Sequence, residues 1–205
     1  MRLKKSVKRI LIVAILLIVL GVGSLLYLQF APKKTTTKAK VINEIKGYGY
    51  ILKSNKSKAY QKEFKELAEI LKEEPVDEEK YVSKIAQMFV LDFYSLSDKV
   101  ANTDVGGTQF VHSAALDNFL LKAEDTIYKY VQNDIYHSRK QDLPTVDKVT
   151  IEDVTTTSFK ALNQTDDAAY QVKVKWTYTK DNDYQNEATL IFIHEDKKLS
   201  LVEMQ

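Results

Sequence analysis

The chain of 205 residues has no cysteine. Disulfide frameworks, thiolate nucleophiles and cysteine-ligated zinc or iron–sulfur sites are therefore excluded. Only six glycines and three prolines occur, which excludes collagen-like and low-complexity chains. The one adjacent glycine pair, Gly106-Gly107, follows no predicted strand and lies in no GxGxxG or GxxxxGK[ST] context, so it reads as a turn or helix start. A GxSxG nucleophile elbow is also missing. The three histidines, His112, His137 and His194, form no HxxxH, HExxH or HxE pattern. From spacing alone no catalytic, cofactor-binding or metal-binding residue is assigned, and no cofactor is expected.

Charge is present but unevenly placed. Thirty basic and 28 acidic residues give a formal +2. The first 30 residues hold Arg2, Lys4, Lys5, Lys8 and Arg9 and no acid, so residues 31–205 carry 25 basic against 28 acidic residues, or −3. That balance gives no electrostatic reason to expect nucleic acid as a partner.

Residues 10–30, ILIVAILLIVLGVGSLLYLQF, are uncharged. As a helix they span about 31 Å, matching a hydrocarbon core of about 30 Å. The basic residues before the run predict a cytoplasmic N-terminus, and the long chain after it is expected to translocate despite Lys33, Lys34, Lys38 and Lys40. A cleaved signal peptide is the rival reading. Its apolar region is about 7–15 residues and ends in a small-x-small site, whereas this run is longer and ends Gln29-Phe30-Ala31. The expected division is a cytoplasmic tail at 1–9, a transmembrane anchor at 10–30, a linker and amphipathic stalk helix at 31–74, and an extracytoplasmic domain at 75–205.

Within the stalk, Val41, Ile42, Ile45 and Tyr48 suggest a weak amphipathic patch broken at Gly47-Tyr48-Gly49. Tyr60, Phe64, Leu67 and Leu71 then fall on one helical face, and Glu74-Pro75 is expected to end the helix. That face is predicted either to pack on its own domain or to form a seam with a partner. In the domain, Asp77-Glu78-Glu79 reads as an N-cap with an acidic first turn. Tyr81, Ile85, Met88, Phe89, Leu91, Phe93 and Leu96 make a wide apolar face through about Ser97. After a breaker at Asn102–Gly107, residues 108–134 read as one helix, or as two if Ser113 caps a restart.

Beyond Pro144 the period falls from about 3.6 to 2. Tyr170, Val172, Val174, Trp176 and Tyr178 alternate with polar residues, predicting a strand with one buried face. Strands are also expected at 148–162, at 188–194 with both faces buried, and at 199–204. Segments Asn163–Asp167, Asp181–Asp183 and Glu195–Lys198 are read as connections. Helices followed by an antiparallel meander make an α+β fold.

Behind one anchor, this order resembles the NTF2-like fold, and within it the VirB8-like proteins of bacterial conjugation and type IV secretion. The residues carrying the resemblance are the anchor 10–30, FVLDFYSLSD at 89–98, GGTQF and ALDNFL within 106–121, and the strands from 148. The NPxG turn of many family members has no match, the nearest proline turn being Asp142-Leu143-Pro144-Thr145. The resemblance implies a cone of about three helices on a curved four-stranded antiparallel sheet. It also implies a non-enzymatic, membrane-anchored assembly subunit whose partners are the bilayer, other membrane or secretion-complex proteins and further copies of itself.

Two alternatives stay open. One is an anchored module binding a small ligand or peptide. The other is a cone enzyme using a buried carboxylate, for which Asp92 in the first apolar helix, with Tyr94 beside it and His112 further along the chain, is the candidate base, although no spacing pairs them. Twelve tyrosines favour protein contacts. Tyr48, Tyr50, Tyr60, Tyr128, Tyr130, Tyr136 and Tyr184 are the candidates for exposed positions.

Overall fold

The computed structural model describes residues 39–180 and 183–205. The anchor expected at 10–30, with its tail and the start of the linker, lies outside them. Among the described residues no helix is long and apolar enough to cross a membrane.

Residues 39–205 form one compact unit, so the division expected near residue 75 falls inside it. The reason is visible at the start of the unit. Where an amphipathic helical patch was expected, the chain forms a β-hairpin of β1 (Val41–Ile45) and β2 (Tyr50–Lys53). Gly47 and Gly49 take φ of 87° and 68° in its turn, a region open to glycine at little steric cost. Tyr50 and Leu52 are buried, and the Tyr50 and Tyr81 hydroxyls hydrogen-bond at 2.5 Å. The hairpin is thereby tied into the body.

Helix α1 (Lys58–Ile70) starts at Ser57, whose Oγ accepts from the Tyr60 amide. Its stripe of Tyr60, Phe64 and Leu67 is buried against its own domain. Lys84 of the next helix reaches both Glu63 and Glu66, at 2.7 Å for Glu66. The apolar stripe and these ion pairs place α1 in the domain, not in a stalk.

Helix α2 (Glu78–Phe93) is capped by Asp77, which accepts from the Lys80 amide at 3.0 Å. Two acids in its first turn complement the helix dipole. Val82, Ile85, Ala86, Met88, Phe89 and Val90 are all fully buried. Such a helix is apolar nearly all round because it packs on α1 and on the sheet together.

The stretch 108–134 is not one long helix. Two single 3₁₀ turns, Thr108–Phe110 and Ser113–Ala115, precede α3 (Leu116–Asp125). Helix is interrupted because Val111 pairs with Leu201 as a parallel bridge and the His112 amide donates to the Leu201 carbonyl at 2.9 Å. His112 Nδ1 accepts from the Ala114 amide, so His112 and not Ser113 caps the restart.

The sheet has the order β3-β4-β5-β6, antiparallel throughout: β3 Val146–Ala161, β4 Gln164–Tyr178, β5 Glu187–Glu195 and β6 Lys198–Met204. Three helices and a four-stranded antiparallel sheet make the domain α+β, as expected. The β3–β4 turn is tighter than predicted, because Leu162 and Asn163 take φ of 51° and 64°, the primed geometry of two-residue hairpins. Irregular register near Val146, Ile151 and Thr157 bends β3. Val172, Val174 and Trp176 are buried, as the alternation requires. Leu190 to Ile193 of β5 are at most 2% exposed, as expected of a strand covered on both faces.

Candidate functional site

The polar residues singled out by sequence fall in separate places. Asp92 lies on the last turn of α2 and is buried. Its Oδ1 sits 2.5 Å from Lys56 Nζ and 3.3 Å from Lys99 Nζ, and its Oδ2 accepts from the Gly107 amide at 2.9 Å. Lys99 is 3% exposed and also pairs with Asp98. Burial acts to raise the Asp92 pKa, but Lys99, Lys56 and the Gly107 N–H outweigh it and hold it below the usual carboxylate range. Burial also works against the charge on Lys99, yet Asp92 and Asp98 raise its pKa.

Chemically, this arrangement is an anchor. A general base needs a lone pair directed at a substrate and a pKa near the working pH. Asp92 is ionised, paired with two ammonium groups, and bonded to a backbone amide. It fastens the end of α2 to the Gly106-Gly107 turn, which cannot carry side chains. A Cβ on Gly106 would stand 2.1 Å from the Asp92 carbonyl oxygen, and one on Gly107 would stand 2.6 Å from the Phe89 ring. The same turn is held from the other side by Tyr128, whose hydroxyl donates to the Phe93 carbonyl at 2.6 Å and accepts from the Gly106 amide at 3.0 Å. Beside the anchor is a small cleft of about 110 Å³ lined by Lys53, Asn55, Asp104 and Gln109.

The three histidines do not meet. His112 is buried at the α3 start, 3.8 Å from Glu195. His137 is exposed, 4.0 Å from Asp134. His194, near the end of β5, stands between Asp166 and Glu78. Among the described residues no group of three His, Asp or Glu side chains is arranged to hold a metal ion.

Of the tyrosines expected at exposed positions, Tyr48 is half-buried against the core. Tyr50, Tyr60 and Tyr128, expected as contact residues, are buried, and each hydroxyl has an internal partner. A buried tyrosine needs such a partner, which is why these rings were misread as surface. Tyr130, Tyr136 and Tyr184 are exposed, at 75%, 61% and 48%. Leu121 and Ile135 are further exposed apolar residues in the same segment, 121–136, where they alternate with exposed polar residues such as Lys122, Lys129 and Gln132. It begins on α3, whose only fully buried residue is Ala123.

Between α3 and β6 runs a groove of about 450 Å³, walled by Phe93, Phe119, Ile127, Leu201 and Met204, with Lys122 and Glu203 among its polar residues. The chain matches no protein-family model, no curated protein and no solved structure. Geometry alone therefore carries the functional reading.

Sequence reasoning missed Lys56 and Lys99 as partners of Asp92, and the Asp166–His194–Glu78 group altogether. Lys56 is 36 residues from Asp92, and Glu78 is 116 from His194, while Lys99, seven residues past Asp92, lies beyond the end of α2 where helical spacing no longer signals a meeting.

Proposed function

We propose that the protein is a membrane-anchored, non-enzymatic assembly subunit of a bacterial conjugation or type IV secretion complex, similar to VirB8-like proteins. In this reading residues 10–30 cross the membrane, the N-terminus is cytoplasmic, and the α+β unit is an extracytoplasmic NTF2-like domain. The observation that carries it is the set of exposed apolar residues Leu121, Tyr130, Ile135 and Tyr136 on the least buried helix and the segment after it. Exposed aromatics on a domain where Tyr50, Tyr60 and Tyr128 are buried and internally bonded suit a protein contact. The element order and the four-stranded antiparallel sheet support the NTF2-like assignment.

The test is site-specific photo-crosslinking of the anchored protein in cells. A photoreactive residue at Tyr130 or Tyr136 is expected to capture membrane complex subunits or a second copy. The same residue at exposed Thr150 serves as control. Equal capture from all three positions would overturn the reading.

A second reading, an anchored module for a small ligand or peptide, is favoured by the groove between α3 and β6. Its mark would be a ligand whose binding is lost in Phe119→Lys while crosslinking at Tyr130 persists. The third reading, a cone enzyme based on Asp92, has no observation in its favour, because the carboxylate is taken up by Lys56, Lys99 and Gly107.

A further inference from the structure

Strands β4 and β5 stop pairing at Tyr170 and Phe192. Beyond that point the β3–β4 hairpin continues alone, paired from Thr157–Ala169 to the turn at Ala161–Gln164. It is a two-stranded arm whose amides on one side of each strand have no sheet neighbour, a marginal arrangement unless its base is held. What holds the base is a side chain. Where a carbonyl of β4 would continue the ladder, the Asp166 carboxylate takes its place. Its Oδ2 accepts from the His194 backbone amide at 2.7 Å and lies 2.8 Å from His194 Nδ1.

The other ring nitrogen faces a different element. His194 Nε2 is 3.4 Å from Glu78 Oε2 at the start of α2, and the Tyr170 hydroxyl donates to that same oxygen at 3.0 Å. Among the described residues the groups bonded to or stacked near the ring are Asp166 and Tyr170 from β4 and Glu78 from α2, with Glu79 and Asp77 close enough to add negative potential at Tyr170. No cation other than His194 pairs with either carboxylate among the described residues. Asp166 is further fixed through Oδ1, which accepts from the Ala168 amide at 2.9 Å.

We propose that His194 is a proton-operated clasp for the β3–β4 arm. An imidazolium donates from both nitrogens and joins the arm to the N-terminus of α2 through two carboxylates. A neutral imidazole has one N–H and one lone pair. Whichever tautomer forms, one carboxylate then faces a lone pair, and the local charge falls from −1 to −2. The closed clasp belongs to mildly acidic conditions, and deprotonation loosens the arm. The titration environment agrees. Burial works against the charged ring, but Asp166 and Glu78 raise its pKa above the ordinary histidine value. Burial acts to raise the Asp166 pKa, and the His194 amide and ring together hold it low. The range is one where histidine is the side chain that ordinarily changes charge.

The test is amide hydrogen exchange on the full chain in detergent micelles, corrected for intrinsic rates, compared between about pH 5.5 and about pH 8.5. Arm amides at 157–169 are expected to lose at least about fivefold in protection at the higher pH, a factor below that of one pKa unit, while α2 interior amides do not change. His194→Gln keeps a donor but cannot gain a proton, and is expected to make arm protection independent of pH. Asp166→Asn provides an independent check, since it is expected to lower the midpoint of the His194 ring titration followed by NMR. Arm protection that varies by less than about twofold over this range would overturn the clasp. So would His194→Gln with the wild-type pH dependence, or a ring midpoint unmoved by Asp166→Asn.

Discussion

Two carboxylates in this protein do the same job with opposite sensitivities. Asp92 and Asp166 each accept a backbone amide where chain segments must be joined, Gly107 N–H in one case and His194 N–H in the other. Each also faces cationic side chains. At Asp92 these are two lysines, Lys99 at 3% and Lys56 at 17% side-chain exposure. At Asp166 the cation is a histidine ring whose side chain is 35% exposed. Burial together with permanent charge makes the first a fixed anchor. Exposure together with a titrating partner makes the second responsive. The difference lies in the neighbours, because the carboxylate chemistry is common to both.

The anchor is the place to break the comparison hardest. Gly106→Ala puts a methyl group into the Asp92 carbonyl, so the turn must move. We expect a loss of about 4 kcal/mol or more, in the range reserved for severe clashes, read as a collapse of the urea midpoint. A midpoint within error of wild type would show that the turn gives way easily.

Asp92→Ala should follow closely. It leaves Lys99 buried beside Asp98 alone, and removing one partner of a buried pair costs about 3–5 kcal/mol. Asp92→Leu combined with Lys99→Met is the sharpening experiment. Replacing the buried ions by apolar groups is expected to recover a good part of that loss. No recovery would mean that the Gly107 hydrogen bond, not charge balance, is what Asp92 supplies.

The pH dependence of the two groups runs in opposite directions. Asp92 has a folded pKa below its unfolded value, so its contribution is present above the unfolded pKa and lost as pH falls through the folded one. His194 has a folded pKa above its unfolded value. Its contribution is complete below the unfolded pKa and lost as pH rises through the folded one. Thermal unfolding of Asp92→Asn should therefore be less acid-sensitive than wild type, and that of His194→Gln less sensitive near neutrality. For His194→Gln the shift should stay under about 1 kcal/mol, because partly exposed pairs are screened.

The smallest effect belongs to Lys175. It lies 3.0 Å from Glu152 and 3.6 Å from Glu187, but all three side chains are at least 40% exposed. Lys175→Ala is expected to leave the unfolding midpoint unchanged, and a clear loss would show that the outer face of β4 is not free.

How much of this was legible depended on distance along the chain. Asp77 and the acids after it announced the start of α2, and the alternation from Tyr170 to Tyr178 announced β4, because caps and strand faces are written in adjacent residues. The first hairpin was missed because Val41, Ile42 and Ile45 are few, and two short strands around Gly47 and Gly49 leave a weak period. Tyr50, Tyr60 and Tyr128 were misplaced because a tyrosine reads the same whether its hydroxyl meets water or a buried partner. Asp92 was noticed as a carboxylate inside an apolar helix, but its role was not, since Lys56 and Lys99 approach from either side of that helix in the chain.

The sequence by itself determined the composition limits, the uncharged run at 10–30, the helices before the four-stranded sheet and the faces of its strands, all of which follow from near-neighbour pattern. Only the tertiary structure decided that α1 and the first hairpin belong to the domain. It alone paired Asp92 with two lysines, and set His194 between a strand and a helix terminus. Apart from Asp92–Lys99, those outcomes rest on contacts between residues tens of positions apart, made when apolar faces are buried together and the polar groups carried in with them must find partners.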